Sequence, residues 1–210
     1  MRNNSNTLIA FSGPDGSGKS TIARKIAEEW RPSQIYWLRG THTLAYLLVR
    51  ILTRLNRFTG ATDFYLNLSI PKTLRKLWQL IEFFSILPHI LALKLLGLRH
   101  RIVCDRYLPD FIVWVALLTD DPEYLSTLQF RILRAITRNE AKLFYFTATL
   151  SELKKRSGER SSFLKRQLSF YEKVRAYLPG EVIDTSNKSI KEVLRYINRK
   201  LRVTEKANWG

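Results

Sequence analysis

The stretch FSGPDGSGKST, residues 11–21, constrains what this chain can fold into more than any other part of its sequence. Gly13, four intervening residues, then Gly18, Lys19 and Ser20 make a complete Walker A loop. TLIAFS before it is short and apolar, as a buried parallel strand is. TIARKIAEEW after it has helical spacing. Ile22, Ala23, Ile26 and Ala27 fall on one side; Arg24, Lys25, Glu28 and Glu29 fall on the other. Strand, glycine-rich loop and helix, in that order, is the setting in which this motif becomes a phosphate cradle. Gly13, Gly16 and Gly18 admit backbone angles that turn successive N–H groups toward an anion. The helix N-terminus adds its partial positive charge. Lys19 is then placed to reach the β- and γ-phosphates, and the Ser20 hydroxyl to bind Mg²⁺.

Four further strand candidates follow at intervals filled by helical patterns: QIYWL (34–38), RIVCD (101–105), KLFYFTA (142–148) and EVIDT (181–185). This alternation predicts an α/β fold, a doubly wound five-stranded parallel sheet flanked by helices. The chain reads as one domain over residues 1–210. Ligands in such a sheet sit beyond the carboxyl ends of the strands. Residues 13–20, Arg39, residues 105–107 and residues 184–187 all follow strand ends, so four polar clusters are expected along one edge. Among the helices, residues 41–58 carry Leu44, Leu47, Leu48, Ile51 and Leu55 on one face and Arg50, Arg54 and Arg57 on the other. Residues 72–87 are apolar nearly all round, which predicts a buried helix, with Pro88 as an interruption. Helices are also expected over 163–178 and 189–201, with a loose basic tail over about 203–210.

The 35 Lys and Arg against 18 Asp and Glu give a net charge of +17, which implies anionic ligands. A nucleotide satisfies that demand. Nucleic acid or an acidic membrane surface is allowed as a second partner but not required. The single cysteine, Cys104, excludes an internal disulfide framework, and no apolar signal region precedes the first strand. Both point to a cytoplasmic protein. Residues 77–98 are long enough to span a bilayer, but Gln79, Glu82, His89 and Lys94 are costly in hydrocarbon. The reading favoured is a helix packed on the sheet or on a second subunit.

Two other constellations carry chemistry. Asp105 ends an apolar strand, where a carboxylate can help hold Mg²⁺, and Arg106 beside it offers a planar donor fork for phosphate. The polar, basic run over about 152–162 reads as a short mobile lid, with Arg156 and Arg160 placed to cover a transferred phosphoryl group. Ser186 and Asn187 in VIDTSN could contact a base or simply cap a helix.

Taken in order, FSGPDGSGKST, VCDRY, a basic lid followed by FYEKVRAYL, and VIDTS resemble the thymidylate kinases among the nucleoside monophosphate kinases. The resemblance runs along nearly the whole chain. It implies a P-loop kinase fold with ATP held by Gly13, Pro14, Asp15, Gly16, Ser17, Gly18, Lys19, Ser20 and Thr21. It implies transfer of the γ-phosphoryl group to a nucleoside monophosphate, with dTMP as the acceptor and dTDP as the product. Asp15 matches the acidic P-loop position that faces the acceptor sugar and metal. Arg39 and Arg106 match arginines that hold the acceptor phosphate, next to Asp105 and Tyr107. Gly16 matches family members whose P-loop lacks a basic residue and whose lid supplies the catalytic arginine, the place of Arg156 or Arg160. Related enzymes pair through helices in the region of residues 72–98, which implies a homodimer.

The departures fall in the acceptor half. Gly40-Thr41-His42 follows Arg39 where the family continues Glu-Pro or Phe-Pro. Asp110, Val113, Trp114 and Val115 stand where small polar and base-contacting residues are usual. The family's long helix carries a base-reading arginine near its start; the run LWQLIEFFSIL has none, and Gln79 and Glu82 are its only polar candidates. A kinase of the same fold with a nucleoside, sugar or lipid-linked acceptor is the alternative. An ATP-switched protein that binds nucleic acid or membrane is a more distant one.

Overall fold

The computed structural model describes residues 8–30, 32–40, 42–55, 58 and 68–207. Five strands, β1 (Leu8–Ser12), β2 (Ser33–Tyr36), β3 (Arg101–Asp105), β4 (Ala141–Thr147) and β5 (Glu181–Asp184), form one sheet in the order β2-β3-β1-β4-β5. Every pairing is parallel. β1 is central and all five of its residues are buried, which is why its sequence is apolar without alternation. The chain leaves β1 toward β2 and leaves β4 toward β5. The loops after these two neighbouring strands therefore diverge and open a crevice at their carboxyl ends.

Eight helices cover the sheet among the described residues: α1 (Lys19–Glu29), α2 (Thr43–Leu52), α3 (Arg75–Gly97), α4 (Leu108–Thr119), α5 (Leu128–Glu140), α6 (Leu150–Ser157), α7 (Ser161–Tyr177) and α8 (Ile190–Ala207). The strand pleat sorts the core into two layers. Ile9, Phe11, Val103, Phe144 and Phe146 pack against Ile22, Ile26, Val193 and Ile197 of α1 and α8. Leu8, Ala10, Ile102, Cys104, Leu143 and Tyr145 face the opposite layer, built mainly by α3, α4, α5 and α7. Cys104 is buried in β3, as its apolar surroundings require. α4 is buried along its entire length, wedged against α7, α3 and α5.

Several sequence expectations need correction. Of the leucine face of α2, Leu48 is partly buried against the core, but most of the face is exposed. Ala45 and Val49 are the buried residues of the helix, while Leu44, Leu47, Ile51 and, just beyond the helix, Leu55 are about half exposed or more. Small Ala45 lets α2 lie close to α3, where its N–H donates to Ser85 Oγ at 3.0 Å. α3 is not buried all round: Trp78, Gln79, Glu82, Phe83, Ile86, Ile90 and Leu93 face inward, but Leu77, Leu80, Phe84, Leu91 and Leu95 are exposed. Nor does Pro88 interrupt it; the helix continues to Gly97. The hydrogen bond that proline deletes belongs to the carbonyl of Phe84, on the exposed side, where water can replace it. By length and apolar composition α3 could cross a membrane. Residues 203–207 of the expected tail continue α8, and residues 208–210 lie outside the described residues. Arg57 and Thr41 also lie outside them.

Candidate active site

The loop after β1 carries three left-handed glycines, Gly13 (φ 144°), Gly16 (φ 80°) and Gly18 (φ 87°). Two of them are required by close approach as well. A Cβ on Gly13 would lie 2.2 Å from the Phe146 carbonyl oxygen, and one on Gly16 would lie 2.7 Å from that of Leu153 in α6. Lys19 is buried at the head of α1, its Nζ donating to the Pro14 carbonyl at 2.6 Å and to Ser17 Oγ at 3.1 Å. Burial is the main force lowering its pKa to about 7; Arg106 and Arg39 add repulsion, against the attraction of Asp110 and Asp15. Ser20, in the first turn, is exposed.

Beside this loop three strand ends converge. Arg39, three residues beyond β2, donates from Nη1 to both carboxylate oxygens of Asp15, at 2.7 and 3.0 Å. Arg106, directly after β3, donates to the same Asp15 Oδ1 and, at 3.0 Å, to Asp110 Oδ1. Arg106 is held at φ 82°, a conformation that costs a non-glycine residue about 1–3 kcal/mol. Two backbone bonds impose it: its N–H donates to the Phe11 carbonyl at 3.0 Å, and its own carbonyl accepts from Leu38 at 3.2 Å. The strained turn aims the guanidinium across the end of β1. Arg39 lies over the Trp114 ring at 5.8 Å, a cation–π contact from the buried α4. Burial opposes the charge on Asp15, but Arg106, Arg39 and Lys19 together hold its carboxyl well below the ordinary range.

The expected convergence of four polar clusters is therefore met. The fourth, after β5, joins through Thr185, whose hydroxyl donates to the Ser17 carbonyl at 3.1 Å. Asp105 sits at the end of β3, and its Oδ1 is buried with no hydrogen-bond partner among the described residues. A buried carboxylate oxygen with spare lone pairs is chemically suited to a hard cation such as Mg²⁺. Tyr107 lies in the core at the start of α4, its N–H donating to Asp110 Oδ2 at 3.3 Å.

The lid segment is not a loop. Residues 152–157 belong to α6 and residues 161–162 to α7; only Gly158, Glu159 and Arg160 are non-helical, with Gly158 at φ 73° ending α6. Thr149 caps α6 by accepting from Glu152 N–H, and the run Lys154, Lys155, Arg156 at its end suits the helix dipole. Arg156 points at the β5–α8 connection. It donates to Thr185 Oγ1 and to the carbonyls of Thr185 and Ser186, and it pairs with Glu152 at 2.9 Å. Arg160 is exposed at the N-terminus of α7.

Two contributors, Gln167 and Tyr171, were not read as parts of the site from the sequence, and a third, Asp110, was noted only as a departure in the acceptor half. Asp110, fully buried, accepts from Arg106, from the Gly13 N–H at 3.4 Å and from the Tyr171 hydroxyl at 2.6 Å. Gln167, also fully buried, contacts Asp15 twice. Gln167 and Tyr171 had a detectable signal. They interrupt the inward stripe of α7, between Leu164 and Val174, with groups that must find partners.

No protein-family model matches the sequence, and no curated protein does. Solved structures do match. Thymidylate kinase from Candida albicans superposes with a TM-score of 0.66 at 18% identity, covering 94% of this chain and 92% of that one. The chain has a thymidylate-kinase-like fold. The YorR protein of Bacillus subtilis, solved with phosphorylated GDP, matches with a TM-score of 0.57 at 19% identity, covering 95% and 98%. At such identities the likeness concerns the fold, and the arrangement of side chains must speak for the chemistry.

Proposed function

We propose that this protein is an ATP-dependent P-loop kinase that phosphorylates a nucleoside monophosphate, with dTMP as the first acceptor to consider. The observation that carries the reading is the meeting of Arg39 and Arg106 on Asp15, beside the buried Lys19. Two guanidiniums from different strand ends, next to a phosphate-binding lysine, suit the transfer of a phosphoryl group between two anions. Residues 13–21 hold the ATP phosphates. Lys19 neutralises charge on the transferred group, and Arg39 and Arg106 orient the acceptor phosphate. Asp15 draws the two guanidiniums together, offsets their mutual repulsion and faces the acceptor. Ser20 and Asp105 would hold Mg²⁺, which supplies charge neutralisation when bound. Arg156 and Arg160 border the donor side, and one of them supplies the remaining positive charge when ligand draws it in.

The exposed residues of α3, Leu77, Leu80, Phe84, Leu91 and Leu95, repeat at helical three-and-four spacing. They support a homodimer joined through this helix.

One observation favours a different acceptor on the same fold. Gln79 and Glu82, the polar candidates of the run LWQLIEFFSIL, are buried and spent inside the protein. Gln79 donates to Thr119 and Asp121, and Glu82 accepts from Trp78. The decisive experiment is acceptor-dependent ADP formation from Mg·ATP across dTMP, dUMP, the other monophosphates, thymidine and simple sugars. Clear preference for a monophosphate sustains the proposal. Acceleration only by an unphosphorylated acceptor overturns it in favour of the second reading.

A further inference from the structure

The grip of the two arginines on Asp15 raises a mechanical question. A long, charged side chain carries about 2 kcal/mol of rotamer entropy, so two arginines meet at one point only if something holds them there. The holding groups lie on α7, Gln167 against Asp15 and Tyr171 against Asp110. Gln167 sits against the P-loop. Its Oε1 accepts from the Asp15 N–H at 3.2 Å, and its Nε2 donates to Asp15 Oδ2 at 2.9 Å. One amide thus fixes both the backbone and the carboxylate of the same residue. One helical turn later, the Tyr171 hydroxyl donates to Asp110 Oδ1 at 2.6 Å. That oxygen is the one that accepts from Arg106. Both side chains are buried and project from one face of one helix, at i and i+4.

We propose that Gln167 and Tyr171 are positioning residues. α7 is a two-point clamp that holds Asp15 and Asp110, and through them sets Arg39 and Arg106 in the converged geometry before any ligand arrives. The proposal rests on the kinase reading only for the identity of the anion those arginines receive. A structural role alone would make Gln167 and Tyr171 ordinary buried polar groups whose loss loosens the whole fold. A clamp makes a narrower demand: their loss frees two particular arginines.

The test uses the full-length protein and the variants Gln167→Met and Tyr171→Phe, which keep bulk and remove the polar contact. The first measurement is modification by phenylglyoxal, mapped by mass spectrometry. Arg39 and Arg106, nearly buried and ion-paired, react slowly in the parent protein. In Gln167→Met both react about tenfold faster, the scale of one lost hydrogen bond to a charged group. Exposed arginines such as Arg24 keep their rates. In Tyr171→Phe the acceleration concentrates on Arg106. Unchanged rates at Arg39 and Arg106 overturn the proposal, and so does an equal acceleration at every arginine, which marks general loosening. The second measurement is steady-state kinetics of Tyr171→Phe, whose contact is to Asp110 outside the ATP loop: KM for the acceptor rises about tenfold while KM for Mg·ATP stays within about twofold. Equal increases in both KM values also overturn the clamp. If the parent protein transfers phosphate to no acceptor, the kinase reading fails, and the modification rates still decide the clamp.

Discussion

At the scale of single residues, the site is a cluster of mostly buried charges in which Arg39 and Arg106 pair with Asp15 and Asp110 beside Lys19. Lys19 is the most informative. Its pKa of about 7 in the free protein means that it is half deprotonated near neutral pH. A bound polyphosphate favours the charged amine and raises that pKa again. Below pH 7 the lysine already carries its proton, so binding takes up none. Above pH 7 binding must draw one from solution. Calorimetric titration of ATP in buffers of different ionisation enthalpy should show proton uptake that grows from about pH 6 to pH 8, with affinity falling over the same range. Lys19→Met should abolish the uptake. Gly13 makes a second residue-scale prediction. Gly13→Ala would force a Cβ to within 2.2 Å of the Phe146 carbonyl and strain a positive φ. Destabilisation by about 3 kcal/mol or more is expected in chemical denaturation, on the scale of overpacking plus backbone strain.

At the scale of elements, α3 is the helix whose environment is incomplete. Its inward face is secured by Trp78, Phe83, Ile86 and Ile90, and its outward face presents a stripe of large apolar side chains. A stripe of this size in water invites a partner. Sedimentation at micromolar concentration should give twice the mass of the chain. A glutamate in the stripe, Phe84→Glu or Leu91→Glu, should yield monomer with the helix content retained in circular dichroism. The residues on the opposite face explain why this helix cannot be read as uniformly apolar: Gln79 and Glu82 are buried because Thr119, Asp121 and Trp78 receive them.

At the scale of the whole molecule, stability should depend on pH through the junction of α2, α3 and α4. There His42 is buried, its ring 4.7 Å from that of His89 and 6.0 Å from that of Phe111. Burial first, and His89 second, lower the pKa of His42 from 6.5 to about 4. The folded value lies below the unfolded one, so the unfolded chain binds more protons between them. Stability is fully present above about pH 6.5 and declines as pH falls toward 4, by up to about 3 kcal/mol from this group. Urea unfolding of the parent protein and of His42→Phe at pH 7 and pH 5 checks this: the variant should lose less stability on acidification.

Patterns local in sequence were enough to determine the strand–loop–helix of residues 8–29, the sites of all five strands and the parallel sheet. Each depends on side-chain spacing within a few residues and on glycines whose backbone freedom is intrinsic. That Arg39 and Arg106 lie at the same edge as the loop also followed, because parallel strands bring their carboxyl ends together. What only the tertiary structure decided is which charges meet. Asp15 pairs with arginines 24 and 91 positions away and is held by a glutamine 152 positions away. The direction of Arg156, the exposed leucines of α2 and the passage of α3 through Pro88 were likewise settled by neighbours distant in the chain. A buried polar group is defined by the partner that satisfies it, and only packing brings that partner near.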